Sequence, residues 1–484
     1  MIQASLYVLI FWICVWACAS SLSQKVRQIV LLAGSYIVFL SWDKWFAVTL
    51  VISTVVNFLI GKSLRKSGAT VLLWAGIAFN LVLLSTFKYF PHVASEVSYP
   101  ALQKFAHLAL PLGVSFWTFQ AMSYLFDLYR GEELDPSLLE FALYMVFFPV
   151  VVAGPICRLP EMLPQFRTEQ KTSWSQIAEG LQRIALGILM MEAARLLGQG
   201  ILSGDGVNSG FDRAKNWSAL DVWCLSIGYG AQLFLDFAGY SHIAIGAGKA
   251  LGFRLPENFN HPFQSSTPSA FWTRWHMSLS FWIRDYLFLP LATVRREIWW
   301  RNLALIIAMV AFGIWHKATL LFVLWGAYHG VLLVSHRLLQ QAERRFDFTA
   351  TPLWNVFSWV VTFAVVSLGW IFFRANSLEQ ALTMFAAVIH PTNYSPPLLS
   401  GSLFGLVGTM TAAILAGPLV LGAMRGDSSE KQSSDGSSPA RIWHGVIRNR
   451  WVWLPPLYII VLLFLIVVTH TDAANPAQLM YRNF

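Results

Sequence analysis

Long apolar runs follow one another along almost the whole chain, separated by short polar or charged stretches. Lipid offers the peptide backbone no hydrogen-bond partner, so runs of roughly 20 residues that cross a bilayer must be helical. The pattern predicts an all-α polytopic membrane protein with about 11–13 membrane helices, some of them re-entrant or interfacial. The runs lie at 4–20, 28–42, 45–61, 70–87, 112–127, 139–156, 179–198, 218–238, 303–315, 319–335, 354–373, 403–424 and 452–469.

The composition excludes a water-soluble fold. Of the 484 residues, 56% are hydrophobic and 12% are charged, whereas soluble domains carry roughly 25% charged residues. The formal net charge of +9 stands in short clusters between apolar runs, which is typical of topology signals and not of a nucleic-acid surface. We therefore expect the lipid bilayer, and no nucleic acid, as a partner. The cysteines lack the spacing of a metal site and are expected as buried free thiols; they are Cys14, Cys18, Cys157 and Cys224.

Three regions are expected along the chain. The first, 1–110, and the last, 401–484, are predicted to hold transmembrane helices, and 111–400 forms the core. A serine-rich linker at 425–441 contains too few apolar residues to fold on its own. The basic clusters at 25–27 and 62–66 place their loops in the cytoplasm by the positive-inside rule.

Segment 252–290 is rich in Trp and Phe, yet it carries too many polar groups for a lipid-facing helix. Such groups must face protein or a water-filled cavity. They are Arg254, Glu257, His261, Arg274, His276, Arg284 and Asp285. Prolines exclude a continuous helix across the first half of the segment, and Thr267-Pro268-Ser269 suits a helix start.

A helical period from Ser269 arranges this segment into two faces. The aromatic face carries Trp272, Trp275, Leu279 and Trp282, and the other carries Arg274, Ser278 and Asp285. Asp285 is expected to pair with Arg274 or Arg284. An amphipathic helix lying at the membrane interface is the alternative interpretation.

Three histidines stand in or beside these apolar stretches, at His276, His316 and His329. A single histidine in such a helix is more often a packing residue than a catalyst, but an imidazole is also the natural general base near neutral pH. On one continuous helix, His316 and His329 would be separated by about 20 Å and would face nearly opposite directions. They can share a reacting atom only if the helix breaks between them.

Six strings together resemble the membrane-bound O-acyltransferase family, in particular its bacterial branch of alginate O-acetyltransferases and teichoic-acid D-alanylation proteins. They occur in the family's order and span most of the chain. The strings are PLGVSFWTFQAMSYLFDLYRG at 111–131, FFPVVVAGPICR at 147–158, LFLDFAGYSHIAIGAGKALGFRLPENFNHPF at 233–263, FWTRWHMSLSFWIRDYLFLPL at 271–291, GIWHKATLLFVLWGAYHG at 313–330 and GWIFFRA at 369–375.

The resemblance implies a catalytic core at 111–400 whose helices enclose a tunnel between a cytoplasmic acyl donor and an outer acceptor. It implies that His316 is the general base and that His276 is a supporting or donor-side residue. His329, which forms a second histidine-glycine pair with Gly330, is the reserve candidate for the base. Residues assigned to the tunnel are His329, Trp315, Asp236, His242, Arg274 and Asp285. For Asp236 and His242, a structural hydrogen bond between helices is an equal alternative.

The resemblance further implies a bacterial cytoplasmic-membrane enzyme that passes an acetyl group towards an exported polysaccharide. The expected partners are that polysaccharide and an extracytoplasmic acetyltransferase or carrier. The donor is acetyl-coenzyme A or an acyl carrier protein, and no bound cofactor or metal is expected.

One residue departs from the family pattern. Lys317 follows His316 where the family usually has Gly, and it is expected to crowd the tunnel or to oppose protonation of His316. Two alternatives therefore stay open. One is a transporter or flippase of a lipid-linked sugar or acyl group that uses the same histidines to gate protons, although the chain shows no internal repeat of the kind many transporters have. The other is an inactive scaffold with the same fold.

Overall fold

Helices provide the regular structure of the chain in the computed structural model, which describes residues 2–91, 94, 110–111, 113–169, 171–201, 204–213, 217–345 and 351–425. Within these ranges there is no strand, so the predicted all-α class is confirmed. The helices, numbered in chain order, are α1 Ile2–Ala19, α2 Gln24–Leu40, α3 Lys44–Ser67, α4 Thr70–Lys88, α5 Val114–Tyr129, α6 Leu138–Val146, α7 Leu159–Phe166, α8 Trp174–Gln199, α9 Val207–Asp212, α10 Ala219–Ala250, α11 Pro268–Trp272, α12 Met277–Ile283, α13 Leu289–Ala292, α14 Ile298–His316, α15 Leu320–Arg345, α16 Pro352–Arg374, α17 Leu378–Ile389 and α18 Gly401–Arg425.

Four of the described helices, α3, α4, α14 and α16, are long and apolar enough to cross a membrane. Shorter apolar helices occur at Ser5–Ala19, Leu378–Ile389 and Gly401–Gly417. The polytopic membrane class is therefore confirmed, while the total of 11–13 membrane helices stays a prediction. The apolar run 452–469, the linker after Arg425 and most of the loop between Lys88 and Leu110 lie outside the described residues.

The apolar run 139–156 does not form the single helix that its composition predicted. Helix α6 ends at Val146, and the chain continues through turns held by bonds such as Val150 N to Phe147 O (3.0 Å). Side chains from other segments satisfy more of this backbone, because Ser35 Oγ accepts from Phe148 N and Ser278 Oγ accepts from Ile156 N. Irregular backbone is tolerated at membrane depth where protein surrounds it, and apolar composition alone does not distinguish that environment from lipid.

Helices α8 and α10 cross at close range through pairs of glycines. A Cβ atom on Gly187 would lie 2.4 Å from the carbonyl oxygen of Gly239, and one on Gly180 would lie 2.5 Å from that of Gly246. Small residues at matching positions let two helix backbones approach each other in this way. The contact fixes α10, which carries Asp236 and His242, against the rest of the core.

Segment 252–290 begins its helical part where the sequence predicted, because Thr267 Oγ1 accepts from Ala270 N (3.1 Å) at the start of α11. The single continuous helix predicted from Ser269 is wrong, since α11 ends at Trp272 and His276 adopts a left-handed backbone conformation (φ 44°) before α12. The irregular chain just upstream causes this break. Asn260 N donates to the carbonyl of Arg274, and the carbonyl of Asn258 accepts from Met277 N.

The predicted aromatic face is buried despite this break. Its four members, Trp272, Trp275, Leu279 and Trp282, are all buried within the protein. An amphipathic helix at the membrane interface would leave such a face against lipid. The interfacial interpretation is therefore wrong for 269–283, and the segment packs inside the core.

Candidate active site

The turn between α14 and α15 places His316 at the end of a helical hairpin. The two helices touch backbone to backbone, because a Cβ atom on Gly313 would lie 2.1 Å from the carbonyl oxygen of Phe322. One on Gly326 would lie 2.3 Å from the carbonyl oxygen of Met309. Glycines at these crossings bring the start of α15 directly alongside the imidazole of His316.

The His316 side chain is surrounded by aromatic rings and is only 5% exposed. It therefore does not face lipid. The ring centroids within 6.1 Å of its own belong to Phe312, Trp315, Phe322, Trp325 and Phe373. The rings of this cage shield the imidazole from water and lipid.

The helix break that the sequence left open does occur, between α14 and α15. It brings His329 into the same cluster. The Trp325 ring lies 5.5 Å from His316 and 5.0 Å from His329, between centroids. Trp272 is the next neighbour, with its ring 5.2 Å from that of His329.

His276 is held in one orientation by Asn258. The Nδ1 atom of His276 lies 3.0 Å from Asn258 Oδ1, which also accepts from Ser278 Oγ (2.9 Å), while Asn258 Nδ2 donates to Ser241 Oγ. An amide oxygen can only accept, so Nδ1 of His276 carries the proton and Nε2 keeps its lone pair. Asn258 is fully buried.

His276 and His316 lie in one continuous cluster of rings. The His276 ring lies 4.5 Å from that of Phe237, between centroids, and touching rings continue through Phe259 to Trp275. Trp275, the neighbour of His276, lies 5.0 Å from Trp370, which lies 5.9 Å from Phe373 in the His316 cage. This cluster joins the two residues that the sequence assigned to catalysis, and their catalytic roles stay a prediction.

Several buried polar atoms in this site lack a hydrogen-bond partner within the described part of the chain. Both ring nitrogens of His329 are among them. The others closest to the cage are the indole Nε1 atoms of Trp272, Trp315, Trp325 and Trp370. Buried polar groups in proteins are nearly always satisfied, so a concentration of unsatisfied donors indicates a place where a ligand or water binds.

The end of α4 supports the His316 turn from the other side. Tyr89 Oη donates to the carbonyl oxygens of Ile314 (3.1 Å) and Trp315 (3.3 Å), and the Lys88 ammonium lies 4.7 Å from the centre of the Trp315 ring. The Lys317 side chain, in contrast, is exposed. The cation that packs against the cage is Lys88, so the expectation that Lys317 crowds the site is not supported by its position.

The remaining sequence-predicted residues lie partly in the His316 cage and partly elsewhere in the fold. Trp315 belongs to the cage, and Asp236 is buried on α10. His242 accepts from Arg183 Nε (3.1 Å) across the α8–α10 interface, which is the structural hydrogen bond considered as an alternative for it. Arg274 is partly exposed on the break before α12.

Asp285 forms an ionic cluster apart from the cage. As predicted, it pairs with Arg284 (2.7 Å), and it also pairs with Arg158 (2.7 Å), whereas no ion pair with Arg274 is present among the described residues. Burial acts to raise the pKa of the Asp285 carboxyl, but the hydrogen bonds from Arg284 and Arg158 outweigh it and hold that pKa below its usual value. An ionised Asp285 ties the end of α12 to the chain before α7.

Sequence reasoning missed Asn258, Lys88 and Tyr89. Asn258 sits in the string PENFNHPF, where an asparagine between prolines is typical of a turn, and only the fold shows that it contacts His276. Lys88 and Tyr89 are separated from His316 by more than 200 residues. Among the described residues, no group of three or more His, Cys, Asp or Glu side chains is arranged to hold a metal ion, and the four cysteines are free and buried as predicted.

The chain is similar in sequence to a family of known proteins. The model of the membrane-bound O-acyltransferase family matches residues 37–372. A probable alginate O-acetylase of Pseudomonas aeruginosa is 33% identical over 410 residues, covering 81% of this chain and 76% of the relative. A peptidoglycan O-acetyltransferase of Helicobacter pylori is 32% identical over 74% of this chain and 73% of its own length, and a teichoic acid D-alanyltransferase of Bacillus subtilis is 28% identical over 56% and 70%.

Proposed function

This chain belongs to the membrane-bound O-acyltransferase family, and from that premise we propose that it transfers an acetyl group from a cytoplasmic thioester to an exported polysaccharide, directly or through an extracytoplasmic partner protein. The chain is an acyltransferase of the membrane. The names of its relatives, a probable alginate O-acetylase and a peptidoglycan O-acetyltransferase, support acetyl as the group and a cell-surface polymer as the acceptor. We place the enzyme in the bacterial cytoplasmic membrane, where such polymers are exported.

The observation that carries the proposal is a buried imidazole among unsatisfied donors. In the proposed step, His316 removes the proton of an acceptor hydroxyl while that oxygen attacks the thioester carbonyl. A C–O bond forms and the C–S bond breaks. The donor's sulfur leaves as a thiolate, which takes up the proton from His316.

The negative charge that develops on the carbonyl oxygen needs hydrogen-bond donors already in place. The indole N–H groups of Trp315 and Trp325 meet that need, since they are buried next to His316 and have no other partner among the described residues. His276, with the lone pair on Nε2, serves on the donor side of the same site. The donor is acetyl-coenzyme A or an acylated carrier protein.

The deciding experiment replaces His316 with Ala in the purified protein and follows transfer of a radiolabelled acetyl group from each donor. We expect transfer to fall by about a hundredfold or more, the usual cost of losing a general base, with an unchanged melting temperature. His390→Ala is the matched control, because His390 is exposed outside the site. Normal transfer by the His316→Ala variant would remove His316 from the mechanism.

The same experiment addresses both alternatives. A transporter or flippase that gates protons with these histidines would lose movement of its lipid-linked cargo and would show no acetyl transfer in the unsubstituted protein. An inactive scaffold would show neither activity. Restoring glycine with Lys317→Gly is expected to change little, because Lys317 is exposed; a large gain from an inactive start would support the scaffold.

A further inference from the structure

A basic cleft lies at the end of the α14–α15 hairpin that is remote from His316. It encloses about 580 Å³ between the turn before α14, the first residues of α14 and the last turns of α15. Four arginines contribute to its wall, namely Arg295, Arg296, Arg301 and Arg337. Arg301 and His316 are 15 positions apart on α14, so about 22 Å of helix separates the cleft from the cage.

No carboxylate among the described residues forms an ion pair with any of these four arginines. Two of the guanidinium groups are nevertheless held in place. Arg295 lies over the rings of Trp299 and Trp300, at 5.8 and 5.4 Å, and Arg337 donates to Asn302 Oδ1 (3.1 Å). Pre-positioned arginines with unused donors match the geometry of a phosphate group.

The rim of the cleft is apolar and exposed. Val294 is 66% exposed, Ile298 60% and Trp299 55%, and α14 is one of the helices able to cross the membrane. Trp and Arg together are typical of the membrane interface, and the arginines place this end in the cytoplasm by the positive-inside rule. An anionic ligand that fits both cleft and rim therefore carries hydrocarbon chains.

We propose that this cleft binds the phosphate of an anionic phospholipid headgroup from the inner leaflet, whose acyl chains lie along the exposed face of α14. Basic pockets between membrane helices on the cytoplasmic side commonly hold such headgroups. A soluble phosphate compound carries the same charge but has no hydrocarbon chain to contact the apolar rim. The site is separate from the acyl-transfer centre, and its occupancy does not depend on the proposed reaction.

The test compares phosphatidylglycerol with phosphatidylcholine on the purified full-length protein. Native mass spectrometry counts the lipids retained after each is added to the detergent-solubilised protein. The double variant Arg295→Gln with Arg301→Gln should bind phosphatidylglycerol roughly thirtyfold more weakly than the unsubstituted protein. The control is Lys62→Gln with Lys66→Gln, which removes the same charge from exposed positions at the end of α3 and should leave binding unchanged.

Three results would overturn the proposal. Equal retention of both lipids would show no preference for the anionic headgroup. Equal losses in the arginine and lysine variants would show a diffuse charge effect instead of a site. Displacement of phosphatidylglycerol by acetyl-coenzyme A or by inorganic phosphate would assign the cleft to a soluble phosphate ligand.

Discussion

The hydrogen bond between Asn258 and His276 fixes which ring nitrogen of the histidine carries a proton. In the Asn258→Leu variant nothing holds Nδ1–H, so His276 can rotate and change tautomer. We expect kcat to fall by about tenfold to a hundredfold with little change in KM, measured with labelled donor. The Asn258→Asp variant keeps an acceptor oxygen at the same place and should recover most of the rate. A Leu variant as active as the unsubstituted protein would show that this contact has no role in turnover.

A second residue-scale prediction concerns Glu140 at the start of α6. Burial acts to raise the pKa of this carboxyl, but hydrogen bonds from Arg167 (2.7 Å) and from the Ser137 backbone outweigh it, so the folded-state pKa lies below the usual value. A carboxyl whose pKa is depressed in the folded state stabilises the protein above its unfolded pKa of roughly 4.3, and this contribution is lost as the pH falls through the folded-state value.

The Glu140→Gln variant should therefore melt a few degrees lower than the unsubstituted protein at pH 7. The difference should shrink as the pH is lowered below about 4.5. Melting curves in detergent across that pH range provide the measurement. Glu379→Gln is a control, because Glu379 is exposed. A difference in melting temperature that stays constant down to acid pH would contradict the assignment.

At the scale of whole elements, the crossing of α14 and α15 determines where His316 sits. Alanine normally stabilises a helix by about 1 kcal/mol relative to glycine. At Gly313, however, the added Cβ atom would lie 2.1 Å from the Phe322 carbonyl oxygen, so the helices must separate. We expect Gly313→Ala to lower the melting temperature and to reduce acyl transfer by roughly tenfold or more, because small misplacements of catalytic groups are costly.

The Gly405→Ala variant provides the matched control, since an added Cβ atom there meets nothing within 4 Å. It should be neutral or slightly stabilising, with normal transfer. Equal behaviour of the two variants would mean that the hairpin contact does not position His316.

The sequence predicts an element correctly where neighbouring residues determine it, and fails where residues from elsewhere in the fold determine it. The start of α11 was predictable, because Thr267 and Pro268 act on their immediate neighbours. The end of α6 at Val146 was not, because Ser35 and Ser278 satisfy the backbone that follows it from distant parts of the chain. The break at His276 was not, because it depends on how the irregular stretch at Asn258 folds back onto it. The spacing of apolar residues indicates which positions avoid water, but it does not distinguish a segment covered by lipid from one covered by protein.

At the scale of the molecule, residues far apart in sequence assemble one site. Tyr89, just after α4, donates to the backbone of Trp315. Phe119 from α5 packs against the Trp315 ring, and Trp370 from α16 packs against the Trp275 ring. The family's motif order allowed the sequence to identify the histidines, but not their supporting residues, which depend on how the helices meet. The division at 110 and 400 into three regions stays a prediction, and the contact of Tyr89 with Trp315 shows that the first region completes the core.

In the proposed acyl transfer across the bilayer, the two ends of α14 face opposite sides, and this can be measured by cysteine labelling. The four native cysteines are buried, so they should react little with a membrane-impermeant maleimide. Arg296 and Lys317 are both exposed and flank α14, whose 19 residues extend over about 28 Å. In oriented membrane vesicles, Arg296→Cys should be labelled from the cytoplasmic side and Lys317→Cys from the outer side. Labelling of both variants from one side would contradict a passage through which donor and acceptor reach His316 from opposite faces.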